Sequence, residues 1–232
     1  MGIYVETCVR SDLETLWART QDPAEHQRWD LRFTTITYLP RGADEPDGPQ
    51  RFRYATRVLP FLTVAGTGVS AGERRRDGER VSALRFFSPH PLSLLAEGSG
   101  YWRYVPGPDG IRFLTGYDYR PRWGRFGRLA DRLVFRPLMG WATAWSFDRL
   151  RLWCERGVTP RRSLGYAVGE SAVRLLAVLA TALYAGPAVA LPVAAAALFA
   201  PVLPVTPAAR RCLRTPPGRA ATPALLTSLE RP

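Results

Sequence analysis

A stretch of 35 residues without a charged side chain, residues 175–209, constrains this sequence more than any other feature. A single membrane-spanning helix needs ~20 apolar residues, so the stretch is too long for one straight span and too short for two. Gly186 and Pro187 break it near its middle, with Arg174 before it and Arg210 after it. Because basic residues favour the cytoplasmic side of a membrane, this pattern predicts a helical hairpin or re-entrant loop that returns to the cytoplasm.

The charge of the chain is strongly basic, and all 32 basic residues are arginine. The net charge is +12. Residues 161–232 carry 8 arginines and 2 acidic residues, which is half of that charge in less than half of the length. A nucleic-acid-binding protein more often carries a basic stripe on its folded domain. Charge concentrated around an apolar stretch favours a membrane surface instead, and we expect no nucleic-acid partner.

The first 157 residues have the patterns of a soluble α+β domain. Apolar and polar residues alternate over 3–9, which predicts a half-buried strand. Two short helices follow, the first capped at Ser11 and the second starting at Asp22-Pro23. About six more strands come next, in the spacing of an antiparallel meander. The period then becomes helical from Arg125 to about Glu155, with a kink or break at Pro137.

Three stretches within this order are similar to a known superfamily. They are LETLWARTQDPAEHQRWD after the first strand, GSGYWRYVPGPDGIRFLTGYDY in the last hairpin, and GWATAWSFDRLRLW in the last helix. Residues 1–157 resemble the START-like, or SRPBCC, superfamily, which includes polyketide cyclases. The resemblance implies an α+β helix-grip fold, a curved antiparallel sheet of about seven strands around a long C-terminal helix. A hydrophobic helical hairpin would follow it here.

We therefore expect four parts in the chain. Residues 1–157 form a START-like ligand-pocket domain, and residues 158–174 form a basic linker. Residues 175–209 form a membrane-embedded hydrophobic segment. Residues 210–232 are rich in proline and are expected to be a disordered basic tail.

The candidate ligand-binding residues are aromatic. If the sheet wraps the last helix, the alternating strand faces and the helix stripe converge on one cavity, suited to an apolar ligand that tyrosine hydroxyls orient. The same residues could equally fill a hydrophobic core. They are Trp29, Tyr54, Trp102, Tyr104, Phe113, Tyr117, Trp141 and Trp145.

No residue pattern specifies a reaction. The two histidines, His26 and His90, are far apart, and no cluster of His, Cys or Asp has the spacing of metal ligands. Ser146 and Asp148 lie two residues apart on the last helix and therefore face apart. We predict no catalytic residue, no metal and no cofactor.

The leading functional hypothesis is a binding module for a hydrophobic small molecule or lipid, tethered to the cell membrane with its soluble domain facing the cytoplasm. One alternative is an enzyme that resembles polyketide cyclases and dehydratases. Another is a regulatory domain that binds a protein partner within a membrane complex, and the sequence does not identify that partner.

Overall fold

The computed structural model describes residues 2–41, 49–76 and 78–217. Seven strands form its main element: β1 Ile3–Val9, β2 Thr35–Tyr38, β3 Gln50–Leu59, β4 Leu62–Arg76, β5 Glu79–Phe87, β6 Leu95–Gly107 and β7 Gly110–Pro121. They pair in one antiparallel sheet in the order β1-β7-β6-β5-β4-β3-β2. From β2 to β7 every strand pairs with its neighbour in the chain, so the predicted meander is present.

Six α-helices accompany the sheet: α1 Leu13–Gln21, α2 Pro23–Trp29, α3 Gly124–Ala130, α4 Arg136–Arg156, α5 Pro160–Tyr184 and α6 Pro187–Phe199. The cap of α1 is Asp12, whose carboxylate accepts from the backbone N–H of Thr15, and not the predicted Ser11. A π-helical segment, Asp131–Phe135, joins α3 to α4. Pro137 follows as the second residue of α4, and the backbone is helical on both sides of the junction, so the helix is irregular just before the predicted kink or break.

The sheet packs against α4 through large side chains on one face. Phe147 of α4 stacks on Phe113 of β7, with ring centroids 4.5 Å apart. The hydroxyl groups of Thr143 and Tyr117 lie 3.0 Å apart and form a hydrogen bond between the same two elements. This arrangement is the α+β helix-grip fold that the sequence predicted.

Glycines in β4 let aromatic rings of β3 lie close to the neighbouring strand. A Cβ atom at Gly66 would come within 2.4 Å of the Tyr54 hydroxyl, and one at Gly68 within 2.3 Å of the Phe52 ring. Real Cβ atoms do not approach other atoms so closely. These two positions therefore need glycine for the rings to keep their places.

The predicted boundaries after the soluble domain need correction. Helix α5 begins at Pro160, so the expected basic linker of 158–174 is the first part of a helix. The helical hairpin is present, but α6 ends at Phe199, before the expected end of the hydrophobic segment at residue 209. Residues 200–217, which we call the return segment, lead back to the soluble domain.

The return segment is attached to β1 and α4. Leu213 and Glu6 exchange two backbone hydrogen bonds of 2.9 Å, and they extend the sheet beyond the free edge of β1. The buried carboxylate of Asp148 accepts from the Ala208 N–H at 2.8 Å and from Arg211 at 2.9 Å. The predicted disorder is therefore wrong for residues 210–217, and residues 218–232 lie outside the described part of the chain.

Candidate functional site

Most of the predicted site residues meet in one aromatic cluster between the sheet and α4. The Phe113 ring lies 5.0 Å from Tyr104 and 6.0 Å from Trp102, measured between ring centroids. Six of the eight predicted residues belong to this main cluster: Trp29, Trp102, Tyr104, Phe113, Tyr117 and Trp145. Strands β6 and β7 supply four of them, as the alternation of the last hairpin predicts.

The other two predicted residues lie elsewhere. Tyr54 belongs to a smaller cluster with Ile36 and Phe52. Trp141 stacks on Trp145 at 6.3 Å, but 45% of its surface is exposed, so it lies at the margin of the main cluster.

A buried polar group that the sequence reasoning did not identify lies between the two clusters. We call His26, Asp30 and Arg32 the polar cluster. The Nε2 atom of His26 lies 3.0 Å from the Asp30 carboxylate, which accepts two further hydrogen bonds from the guanidinium of Arg32, at 2.9 and 2.6 Å. The Arg32 guanidinium also lies 5.3 Å from the centre of the Tyr117 ring.

Aromatic contacts connect the polar cluster to both aromatic clusters. The His26 ring stacks on Trp29 at 5.0 Å and meets Trp102 edge-on at 4.8 Å. It also lies 5.4 Å from Phe33, whose ring is 5.8 Å from Tyr54. A continuous row of aromatic rings in contact therefore runs from Tyr54 through Phe33 and His26 to Trp102, with a charged group beside it.

The charges of the polar cluster follow from burial and pairing. Burial alone would raise the pKa of Asp30, but the positive charge and hydrogen bonds of Arg32, aided by His26, hold that pKa well below its usual value. Burial lowers the pKa of His26, and the nearby Arg32 acts in the same direction, which together outweigh Asp30. At neutral pH the cluster therefore holds a neutral imidazole and a buried Asp30–Arg32 ion pair.

The three predicted tyrosines differ in their hydrogen bonds. The Tyr104 hydroxyl bonds to Thr20 at 2.6 Å and to Gln21 at 3.0 Å, and Tyr117 bonds to Thr143. Among the residues that the structure describes, the Tyr54 hydroxyl has no hydrogen-bond partner, and burial raises its pKa to about 12. Of the three hydroxyls, that of Tyr54 alone has no partner within the described residues.

No family model matches the chain. Uncharacterized membrane protein YndG of Bacillus subtilis is 51% identical to the chain over 168 residues. These residues are 72% of this chain and 62% of that protein, so the chain spans less than two thirds of that relative.

One solved structure to which the chain is similar is a STAR-related lipid transfer protein from Xanthomonas axonopodis, which is 18% identical in sequence. The match covers 63% of this chain and 81% of that chain, with a TM-score of 0.47. The Zhui aromatase/cyclase from a Streptomyces strain is 14% identical, with a TM-score of 0.43 and coverage of 67% and 98%. The order of the seven strands and the helix that they grip decide the fold. The chain has the START-like, helix-grip fold.

The polar cluster of this START-like domain lies on one short helix and the residues that follow it. His26 and Asp30 are four positions apart in and just after α2, a spacing that places side chains on the same helix face. That spacing was the available signal in the sequence, and Trp29 beside it marked the face as buried.

Within its described residues, the START-like domain offers no arrangement suited to a metal ion. Among the described residues, no group of three or more His, Cys, Asp or Glu side chains is placed to hold one. The Asp118 carboxylate is largely exposed and lies 3.7 Å from the Arg136 guanidinium. Asp148 is buried, but its partners belong to the return segment and to α4.

The hairpin outside the START-like domain exposes apolar side chains. In the described part of the chain, one helix, Pro160–Tyr184, is long and apolar enough to cross a membrane, and its most apolar window is not buried. We call residues 175–199 the apolar tip. Its large exposed side chains are Leu175, Leu176, Leu179, Leu183, Tyr184, Val189, Leu191, Leu198 and Phe199.

Acidification is expected to destabilise the START-like domain through His26. In the unfolded chain His26 takes up a proton near its ordinary pKa of 6.5, but in the folded domain its pKa is lower. The unfolded state then binds more protons, so the free energy of unfolding falls as the pH drops below 6.5. Chemical unfolding between about pH 7.5 and pH 5.5 should show this loss.

The matched variant is His26→Gln, which keeps a hydrogen-bond donor near Asp30 but cannot titrate. It should be less stable than the unaltered protein near neutral pH, because it loses the ring contacts with Trp29 and Trp102. Its stability should change less between the two pH values. An unchanged pH dependence in this variant would contradict the assignment of His26 as a buried neutral group.

Proposed function

We propose that the chain is a membrane-attached binding module for a hydrophobic small molecule or lipid, with its START-like domain on the cytoplasmic side. This proposal is supported by two features that occur together in the chain. A helix-grip domain with an aromatic interior holds both ends of a hairpin whose apolar side chains are exposed. Exposed apolar surface of this extent is typical of a membrane or protein contact. The name of the Bacillus relative, a membrane protein, supports a membrane contact.

The ligand is expected to lie along the row of aromatic rings between Tyr54 and Trp102. Ring faces of Phe33 and Trp102 favour an apolar or aromatic molecule, whose burial contributes ~25 cal/mol per Å² of apolar surface. The Tyr54 hydroxyl can donate one hydrogen bond to a polar atom of the ligand. Membrane attachment raises the local concentration of ligands that come from the bilayer.

An enzyme similar to polyketide cyclases is the second candidate, and the polar cluster favours it. A neutral imidazole hydrogen-bonded to a carboxylate is a common proton-transfer group. Here His26 and Asp30 lie among aromatic rings, with Arg32 beside them. Both Asp30 oxygens are occupied by Arg32, which is the pairing expected of a structural ion pair, so binding without turnover remains our leading proposal.

The pocket assignment is tested by two matched tyrosine variants. Tyr54→Phe removes a hydroxyl with no partner in the described residues, so it should change the free energy of unfolding by less than about 0.5 kcal/mol. It should weaken binding of a ligand that accepts a hydrogen bond by about 2- to 10-fold. Anilinonaphthalene sulfonate is a suitable fluorescent probe, used with a variant that lacks the apolar tip to avoid binding to detergent.

Tyr104→Phe is the control, because its hydroxyl already bonds within the core. It should lower the free energy of unfolding by about 1 kcal/mol and leave probe affinity unchanged. If Tyr104→Phe weakened the probe and Tyr54→Phe did not, the ligand would lie elsewhere. Absence of probe binding by any folded variant would remove the support for a ligand-binding domain. Native mass spectrometry of the detergent-extracted chain would then identify a co-purified molecule, if the pocket holds one.

A further inference from the structure

A pair of charged residues closes the base of the apolar tip. Glu170 and Arg174 lie one turn apart on α5 and form an ion pair of 2.6 Å. Arg174 also donates to the carbonyl of Ala197 at 2.6 Å and to that of Pro201 at 2.9 Å. These carbonyls lie at the end of α6, where no intrahelical donor reaches them. Arg174 therefore fixes the end of α6 beside the middle of α5.

The same base is tied to the soluble domain. Glu170 accepts from the backbone N–H of Leu203 at 3.1 Å, and Arg211 donates to the Leu203 carbonyl at 2.9 Å. Arg156, at the end of α4, donates to the carbonyl of Pro204 at 3.2 Å. The point where the hairpin meets the domain is thus surrounded by four charged side chains, those of Arg156, Glu170, Arg174 and Arg211.

The first turns of α5 pack on the domain and are not free to enter a bilayer. Arg149 of α4 is buried and donates to the carbonyl of Pro160 at 2.8 Å. Ala167, two turns further, packs against the main aromatic cluster. Although α5 has 25 residues, only its part beyond Arg174 projects from the domain without charge.

The length of the projecting part decides how far it can reach. The rise of an α-helix is ~1.5 Å per residue, so the chain from Arg174 to Gly186 extends about 15–18 Å. Helix α6, with 13 residues, covers about 20 Å on the way back. The hydrocarbon core of a bilayer is ~30 Å thick. The apolar tip therefore matches about one leaflet.

We propose that the apolar tip enters a single leaflet and turns back near the bilayer midplane, with Glu170 and Arg174 at the level of the lipid head groups. This inference deepens the proposed membrane attachment and rests on it. A full crossing would draw the charged base, including Arg156 and Arg211, into hydrocarbon. An arginine side chain in the hydrocarbon core is strongly unfavourable, and several of them would exceed the gain from the extra depth.

The depth of the tip can be measured by lipid quenching of a fluorophore. Cysteine is introduced at the tip by Tyr184→Cys, where the side chain is 90% exposed, in a Cys8→Ser, Cys154→Ala background. Val168→Cys, on the domain side of the base, is the matched control. Each full-length variant carries a thiol-reactive fluorophore in phosphatidylcholine–phosphatidylglycerol vesicles. The vesicles contain a nitroxide quencher either near the head groups or near the ends of the acyl chains.

For the Tyr184→Cys label, the deep quencher should remove several-fold more fluorescence than the shallow one. The Val168→Cys label lies two residues from Glu170, at the head-group level, so the shallow quencher should reduce its fluorescence more than the deep one. Shallow quenching at position 184 together with deep quenching of a Leu176→Cys label would mean that the hairpin crosses the bilayer. That result would overturn the single-leaflet proposal and leave membrane attachment in place. If the protein stayed in the supernatant and no label were quenched, attachment itself would be wrong.

Discussion

Replacing Asp148 with alanine is expected to lower the free energy of unfolding by about 3 kcal/mol. The carboxylate is fully buried on α4 and accepts hydrogen bonds from Arg151, Arg211 and the Ala208 N–H. Removing one partner of a buried ion pair typically costs 3–5 kcal/mol. The lower end applies here, because both arginines keep other acceptors. Urea unfolding of the full chain in mild detergent, followed by tryptophan fluorescence, measures the change.

Two controls separate this effect from a general loss of charge. Asp118→Ala removes an exposed carboxylate near Arg136 and should change stability by less than about 0.5 kcal/mol. In a protein that ends at Gly157, Asp148 has already lost its partners from the return segment, so the same alanine substitution should cost much less. An equal cost with and without the return segment would show that Asp148 acts only within α4.

Replacement of the apolar tip by a short Gly-Ser linker is expected to move the protein from the membrane fraction to the supernatant. Full burial of one leucine, valine or phenylalanine side chain contributes ~1.5–3 kcal/mol, and the tip exposes nine large apolar side chains. A short linker can join residue 174 to residue 200, because the Arg174 guanidinium already donates to the Ala200 carbonyl at 3.1 Å. Ultracentrifugation of cell extracts without detergent gives the distribution directly.

The linker variant should also remain folded, because its return segment can still dock on β1 and α4. A protein that ends at Gly157 should be soluble too, but it should unfold at a lower urea concentration, since it lacks the contacts of Asp148 and Leu213. If the linker variant still sedimented with membranes, the apolar tip would not be the anchor. The exposed apolar side chains of α3 and α4 would then be the next surface to test.

The fold could be predicted because local patterns and tertiary structure agree over most of the domain. Strand β1 has the expected bounds, but six of its seven residues are buried, so the prediction that only one face is buried was wrong. The start of β6, residues 95–99, has no alternation that predicts a strand. Pairing on both sides, as in Phe87 with Glu97 and Glu97 with Arg120, makes them a strand.

The candidate site was predicted in part, for a comparable reason. Aromatic residues on β6 and β7 could be assigned to one face by counting, and six of the eight meet in the structure. The pairing of Arg32 with Asp30 could not be predicted from helical or strand periodicity, because Arg32 lies in a turn after α2. The order of the return segment depends on Asp148 and Glu6, which are 60 or more residues away in the chain.

The pairing of Leu213 with Glu6 also has a consequence for the order of events during synthesis. Strand β1 leaves the ribosome before the hairpin, yet the partner for its outer edge follows the whole hairpin. Domains generally fold as units while the chain is being made. Here the apolar tip emerges before the domain can be completed. The hairpin is therefore made while one edge of the sheet is still open, and pairing of Leu213 with Glu6 closes that edge afterwards.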